Sequence, residues 1–338
     1  MKTEHHSIGP DAAIYLIAEI GLNHNGSEEL AIKMIEAAAR SGASCAKFQL
    51  FHAPHFIAGG AALGESGPGS LQAFFEKFQL PASSWRRLVQ ACEANRIDFL
   101  CSVFDTPSLD LYQALGHRPV KVASTDLVCR PFLEEVRRRK LPMYLSTGAS
   151  EEAEVERTLE WIGKPELLFQ CVSSYPADPA DYNLSVLPYW QKKYQCLTGI
   201  SDHCMDLDIS LMAPALGAVA IERHFTLDRS LDGPDQALSS TPEQFQELVS
   251  RLALLQKAMG DGIKKCQPSE EPVRSGGRRS LYVARSLSAG HILEPGDMLA
   301  MRPGGGLDSS RMQEFVGQRL ARDVQEGDLL DREYLEPV

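Results

Sequence analysis

The 338-residue sequence has no C-x-x-C pair, no apolar run near the roughly 18 residues that cross a bilayer, and too few cations to balance its anions. Each absence excludes something. Eight cysteines lie singly at positions 45, 92, 101, 129, 171, 196, 204 and 266, several of them inside apolar stretches, so they read as free thiols that behave as small hydrophobes. No membrane segment is expected. The 34 Lys and Arg against 45 Asp and Glu leave a formal net charge of -11, which argues against nucleic acid or an anionic membrane surface as partner, because both demand clustered cations. An anionic substrate would need a few local cations held against that field. Met1 to Asp11 carries His5 and His6 but no basic start followed by an apolar stretch, so a secretory signal is not expected and a cytoplasmic location is.

What is present is a repeated alternation. Apolar strand-like windows at 13–20, 44–49, 97–102, 119–123, 142–146, 166–171, 196–201 and 217–222 alternate with amphipathic helical stretches. Eight such repeats predict a closed parallel α/β barrel, which takes about 250 residues and gathers all its strand ends at one mouth. Ser27 is placed to cap the first helix, with Leu30, Met34 and Ala38 on one face and Gly42 past its end. Pro242 to Met259, where Phe245, Leu248, Leu252 and Leu255 recur at helical spacing, should close the barrel domain over residues 1–260. A polar boundary segment, 261–277, contains Pro268, Pro272 and Gly276-Gly277 and reads as a linker. Brief β-like runs at Leu281 to Ala284, Ala289-Gly290, Leu293, Leu299 to Arg302, Val316-Gly317 and Val324 to Gly327 predict a small β-rich domain over 278–338. Between Gln49 and Leu80 a segment rich in Gly, Ala and His is too long for an ordinary βα loop and is expected to form part of the substrate rim.

Chemistry concentrates where the apolar windows end. Lys47 and Lys121 lie inside apolar strand ends, where desolvating an ammonium is costly unless an anion pairs with it. Gln49, Ser102, Ser124, Ser146, Ser173 and Ser201 would add neutral donors, enough for one phosphate and one carboxylate. His203 and His224, at adjacent strand ends, can converge on one ion or serve as hydrogen-bonding core groups; spacing does not choose. Glu19 can be a base, a hydroxyl acceptor or a group behind a metal, while Asn23 and His24 suit the turn before Gly26.

The run Ala18-Glu19-Ile20-Gly21-Leu22-Asn23-His24-Asn25-Gly26 closely resembles the opening signature of the sialic acid synthase family. Lys47-Phe48-Gln49, Leu145-Ser146-Thr147-Gly148, Cys171-Val172-Ser173-Ser174-Tyr175-Pro176, Gly199-Ile200-Ser201-Asp202-His203, Glu222-Arg223-His224-Phe225-Thr226 and Gly233-Pro234-Asp235 resemble it too, in the family's order. The tail, with Met301-Arg302-Pro303-Gly304, resembles the antifreeze-like (SAF) domain that closes the bacterial members. The resemblance implies a TIM barrel with a SAF domain, and phosphoenolpyruvate on Lys47, Gln49, Ser102, Lys121, Ser124, Ser146, Ser173 and Ser201. It implies a divalent ion, Mn(II) with Mg(II) or Co(II) as substitutes, on His203 and His224. Glu19 would contact the reacting centre and its water, making Glu19, Lys121, His203 and His224 the catalytic set. Asp126, Tyr175, Asp235 and Arg302 would face the sugar, with Arg302 reaching the site of a partner in a domain-swapped homodimer. The expected reaction joins phosphoenolpyruvate, N-acetylmannosamine and water into N-acetylneuraminate and phosphate. A pseudaminic, legionaminic or spore-coat sugar-acid synthase is the alternative within the family, and a non-catalytic sugar-binding protein the alternative outside it. Three departures bear on the sugar. Ser124-Thr125-Asp126 stands where the family's commoner motif is Ser-Gly-Glu, an asparagine of the long second loop has no counterpart near Ser66, and Ser173 replaces one at strand six.

Overall fold

The structure is a computed structural model that describes residues 1–59, 61, 70–116 and 119–337. Among the described residues eight parallel strands pair in chain order: β1 (Tyr15–Gly21), β2 (Cys45–Leu50), β3 (Asp98–Val103), β4 (Val120–Val122), β5 (Met143–Ser146), β6 (Leu167–Cys171), β7 (Leu197–Asp202) and β8 (Ala220–His224). β8 pairs back onto β1, with Tyr15 opposite Ala220 and Glu19 opposite His224, so the barrel closes. Each strand overlaps the window expected for it.

The period of two along each strand sorts the side chains into two environments. Leu16, Ala18 and Ile20 of β1, with Ala46 and Phe48 of β2, join the apolar layer under the helices. Tyr15, Ile17, Cys45, Leu100, Tyr144, Leu167, Phe169 and Ala220 form a separate cluster inside the barrel. Continuing that inner parity toward the strand ends reaches Glu19, Lys47, Gln49, Ser102, Lys121, Ser146, Ser201, Glu222 and His224. The barrel is therefore apolar at its floor and charged at its mouth. Gly199 makes room for the floor: a β carbon there would lie 2.7 Å from the Phe169 ring.

The covering helices form for local reasons. Glu28–Arg40 starts at Ser27, whose Oγ accepts the Leu30 N–H at 3.2 Å, and buries Ala31, Met34, Ile35 and Ala38. Pro242–Met259 opens with a reciprocal cap between Thr241 and Gln244 and buries Phe245, Leu248 and Leu252. Of the long segment after β2, helices Ala53–Phe56 and Leu71–Glu76 are described. Phe51, Phe56, Phe75, Phe78 and Phe104 pack there with Leu22 into an aromatic cluster beside the mouth. Ser66 lies outside the described residues.

The chain divides into two compact units, Met1–Gly260 and Asp261–Val338. In the second, β9 (Ser280–Val283) pairs antiparallel with β10 (Met298–Met301), and single bridges such as Leu287 with Val324 tie the remaining turns together. Its core is Leu281, Val283, Leu293, Met298, Phe315, Leu320, Val324 and Leu330. The stretch read as linker contains a helix, Glu271–Gly277, preceded by a single 3-10 turn at Pro268–Glu270. Pro268 and Pro272, read as breakers, occupy first-turn positions, where proline sacrifices no intrahelical hydrogen bond. Among the described residues no helix is long and apolar enough to cross a membrane.

Phe245 is fully buried and meets the Phe225 ring edge-on at 5.1 Å, just past the strand that carries His224. Phe245→Ala should cost about 3–5 kcal/mol in urea unfolding, the usual range for deleting a buried aromatic ring. A loss under about 1 kcal/mol would mean that the helix does not seal the barrel there.

Candidate active site

The mouth holds two lysines and two glutamates in one buried cage. Lys47 Nζ lies 2.8 Å from Glu19 Oε2 and 3.5 Å from Glu222 Oε1, and donates to Ser102 Oγ at 3.0 Å. Lys121 Nζ lies 3.5 Å from Glu222 Oε2, donates to Ser146 Oγ, and sits 5.1 Å from the centre of the Phe169 ring. Ser201 links the two halves: its Oγ donates to Glu222 Oε1 at 3.2 Å and is 3.5 Å from Ser146 Oγ. Gln49 Nε2 donates to Glu19 Oε1 at 3.4 Å. Burial pulls the Lys47 ammonium down, but Glu19 and Glu222 more than offset it, so its pKa is raised. Lys121 ends lowered, because burial and the Lys47 charge outweigh Glu222. Burial would raise the Glu222 carboxyl, yet the Lys121 and Lys47 ammonium groups beside it hold it below the usual carboxylate range.

Beside the cage, the turn after β5 meets the end of β6. Gly148 N–H donates to Ser124 Oγ at 3.0 Å, and a β carbon on Gly148 would collide with Ser173 Oγ and approach Ser124 Oγ to 2.8 Å. The missing side chain lets the Ser173 and Ser124 hydroxyls close up against the Gly148 backbone, a group of neutral donors whose chemistry suits an oxyanion.

The histidines make a second cluster. His203 and His224 have ring centres 5.5 Å apart, and Tyr175 stacks on His203 at 4.3 Å. His203 Nδ1 is 2.7 Å from the Val172 carbonyl oxygen, which leaves Nε2 as the atom free for a ligand. Burial and the neighbouring His224 lower the His203 pKa to about 4, so this imidazole is neutral at pH 7. His224 Nδ1 is buried without a hydrogen-bond partner, with Asp235 Oδ2 3.7 Å away. Among the described residues no group of three or more His, Cys, Asp or Glu forms a metal cage. An ion here would rest on two imidazoles and complete its shell with water and substrate oxygens, which suits an exchangeable Mn(II), Mg(II) or Co(II).

The NeuB family model matches residues 34–264 and the SAF domain model residues 278–334. The chain belongs to the NeuB family. It is 34% identical over 330 residues to the N,N'-diacetyllegionaminic acid synthase of Campylobacter jejuni, covering 93% of this chain and 98% of that one. The enzyme of the same name from Legionella pneumophila is 32% identical over 343 residues, with coverages of 97% and 96%. The crystal structure of the N-acetylneuraminic acid (sialic acid) synthetase of Leptospira borgpetersenii superposes with a TM-score of 0.73 at 31% identity, over 80% of this chain and 94% of that one. This NeuB-family chain is thus an enzyme of the sugar-acid synthase type.

In this NeuB-family protein the fold gathers Lys47, Gln49, Ser102, Lys121, Ser146 and Ser201 into one cage, with Glu222 as an addition, and sets Ser124 and Ser173 together at Gly148. Glu222 lies two positions before His224, hence on the same inward face, and is only 7% exposed. A charged residue at inner parity within an apolar strand was the available signal. Tyr175, His203, His224 and Asp235 form one cluster, Tyr175 being about half exposed. Asn23 and His24 hold loops together: Asn23 Nδ2 donates to the Phe225 carbonyl and to Ser239 Oγ, and His24 Nδ1 accepts the Gly26 N–H. Arg302 lies in the second unit, exposed just past β10.

Asp126 occupies a 3-10 turn with Ser124 at the end of β4, and its Oδ2 is buried without a partner. Burial raises this carboxyl from 3.8 to about 6. A raised carboxyl favours the protonated native state, so the stability it contributes is complete below about pH 4 and lost as pH rises through about 6. The melting temperature of the ligand-free protein, measured relative to Asp126→Asn, should fall across that window. A difference between the two proteins that stays constant from pH 4 to pH 6 would show the carboxyl to be solvated.

Proposed function

We propose that the protein condenses phosphoenolpyruvate with an open-chain N-acetylated hexosamine, N-acetylmannosamine in the first instance, to give a nonulosonic acid and phosphate. The observation that carries this reading is the pair of buried lysines, Lys47 and Lys121, at the mouth of the barrel. Two ammonium groups and several hydroxyls inside a closed barrel are a receptor for a compact polyanion, and a merely sugar-binding protein has no use for them.

The residues divide the work by position. Lys47 and Lys121 hold the carboxylate and phosphate of phosphoenolpyruvate, exchanging contacts with Glu19 and Glu222 for contacts with the ligand. Gly148 N–H, Ser124 and Ser173 border the phosphate, while Gln49, Ser102, Ser146 and Ser201 orient the rest. His203 and His224 would hold the divalent ion, which when bound polarises the sugar aldehyde as a Lewis acid. Tyr175, Asp126 and Asp235 line the sugar side, and Arg302 of a second copy completes it in a domain-swapped homodimer. Attack by the enol carbon breaks the aldehyde's carbonyl π bond, leaving an alkoxide on the sugar and positive charge at C2 of the phosphoenolpyruvate unit. Glu19, freed from Lys47 and still beside Gln49, takes the proton from the water that adds there and passes it to the sugar alkoxide. As the carbon–oxygen bond breaks, the C2 hydroxyl becomes the ketone, its proton leaves with the phosphate, and the two lysines stabilise that phosphate.

A second acceptor has a specific observation behind it. Two of the relatives above are named for a product bearing two N-acetyl groups, so a diacetamido hexose belongs beside N-acetylmannosamine in any substrate panel.

The test is phosphate release from phosphoenolpyruvate with Mn(II) and a panel of N-acetylated hexosamines; no release with any of them would overturn the reading. Chelation should abolish turnover and Mn(II), Mg(II) or Co(II) restore it. His203→Ala and His224→Ala should each lower the rate at least about 100-fold, as expected if electrophilic help is worth several kcal/mol. Lys121→Met and Gly148→Ala should weaken phosphoenolpyruvate binding far more than sugar binding. An isotope label in the bridging oxygen should leave with phosphate, and its retention in the sugar acid would instead require phosphorus–oxygen cleavage.

A further inference from the structure

The residues that precede the two histidines form a buried ion pair on the opposite face of the same strands. Asp202 is 1% exposed and Arg223 is 2% exposed. Each stands one position before a histidine, so alternation turns both side chains outward, into the layer between barrel and helices. Arg223 Nη1 donates to Asp202 Oδ2, and also to Ser210 Oγ at 3.2 Å. Ser210 Oγ in turn donates to Asp202 Oδ2.

The remaining contacts lead to the histidine-bearing backbone. On the β7 side, Asp202 Oδ1 accepts the Cys204 N–H at 2.9 Å, and Arg223 Nη2 donates to the Cys204 carbonyl at 2.6 Å. Both polar backbone groups of the residue after His203 are thus held by the pair. On the β8 side, Arg223 Nε donates to Ser240 Oγ at 2.9 Å. Ser240 N–H donates to the His224 carbonyl at 2.8 Å, and the Ser240 carbonyl accepts the Thr226 N–H at 3.0 Å. One planar guanidinium therefore spans both strand ends, and its fixed fork sets the distance between them.

Stability alone does not account for such a pair, because a buried ion pair gains little over apolar residues of similar volume. Geometry does. Among the described residues only two imidazoles are placed to hold an ion, with no third protein ligand to absorb a misplaced one. We propose that Arg223 and Asp202 are positioning residues for the ion site: from the far side of the sheet they fix the separation and orientation of His203 and His224. This inference rests on the proposed function, which assigns the ion to those histidines.

The test uses the full chain and the metal alone. Free Mn(II) is followed by its electron paramagnetic resonance signal during titration of the wild type, of the double variant Asp202→Asn with Arg223→Gln, and of Ser240→Ala. The double variant removes both charges together, so neither is left buried and unpaired, and circular dichroism with a melting curve reports its fold. Its Mn(II) dissociation constant should rise about ten-fold or more, as for other groups that orient metal ligands from behind, with phosphoenolpyruvate affinity measured without metal staying within about two-fold. Ser240→Ala, which severs the arm to the β8 side, should shift Mn(II) affinity the same way by a smaller, resolved factor. In both, raising Mn(II) should recover kcat, which a general disturbance of the barrel would not allow. A folded double variant with unchanged Mn(II) affinity, or a parallel loss of phosphoenolpyruvate affinity, would overturn the inference. If the double variant does not fold, Ser240→Ala decides, and an unchanged constant overturns it. A wild type that binds no Mn(II) would overturn the ion assignment itself, a separate outcome from a wild type that binds and variants that bind equally well.

Discussion

Two ammonium groups shut inside a closed barrel dictate much of what surrounds them. An isolated buried charge costs far more than any single packing contact returns, so Lys47 and Lys121 can stay ionised only if something compensates them. In the ligand-free protein that something is Glu19 and Glu222, with Ser102, Ser146 and Ser201 filling hydrogen-bonding positions between them. The cage balances at two positive and two negative groups. On the proposed function, a ligand's oxyanions would take over contacts that these carboxylates hold in the ligand-free protein, so substrate binding would be an exchange of contacts rather than a meeting with bare charge.

That balance explains how a chain with formal net charge -11 can receive an anion. The overall field repels phosphoenolpyruvate, but it is screened over about 8–10 Å in salt, whereas the cage acts at hydrogen-bond distance in a poorly screened interior. Surface charge and site charge are thus separate matters here.

Much of the architecture is legible from periodicity. The eight windows succeed because a closed parallel barrel buries both faces of each strand, so the strands read as apolar runs bounded by polar turns. The lysines are legible for the same reason, as exceptions inside those runs. What escapes the sequence is anything that depends on partners across strands. Glu222 shares the inward parity of His224, but its place between two lysines from β2 and β4 exists only once the barrel has closed. Asp202 and Arg223 read as ordinary polar residues at a strand end, and only the packing of the Asp208–Ala215 helix reveals them as buried. The helix Glu271–Gly277 was hidden by Pro272, since proline breaks a helix interior but suits its first turn. Arg302 is a different case: it is exposed in its own unit, where nothing in the packing marks it out from other surface arginines.

The floor of the site adds a mechanical link. The Phe169 ring lies against the space that a side chain at Gly199 would need, and Lys121 Nζ stands over the same ring. A methyl group at position 199 would press on the ring, and the ring would press on the ammonium above it. Where the second positive charge of the cage sits is therefore governed, one strand beyond the ring, by an atom that glycine does not have.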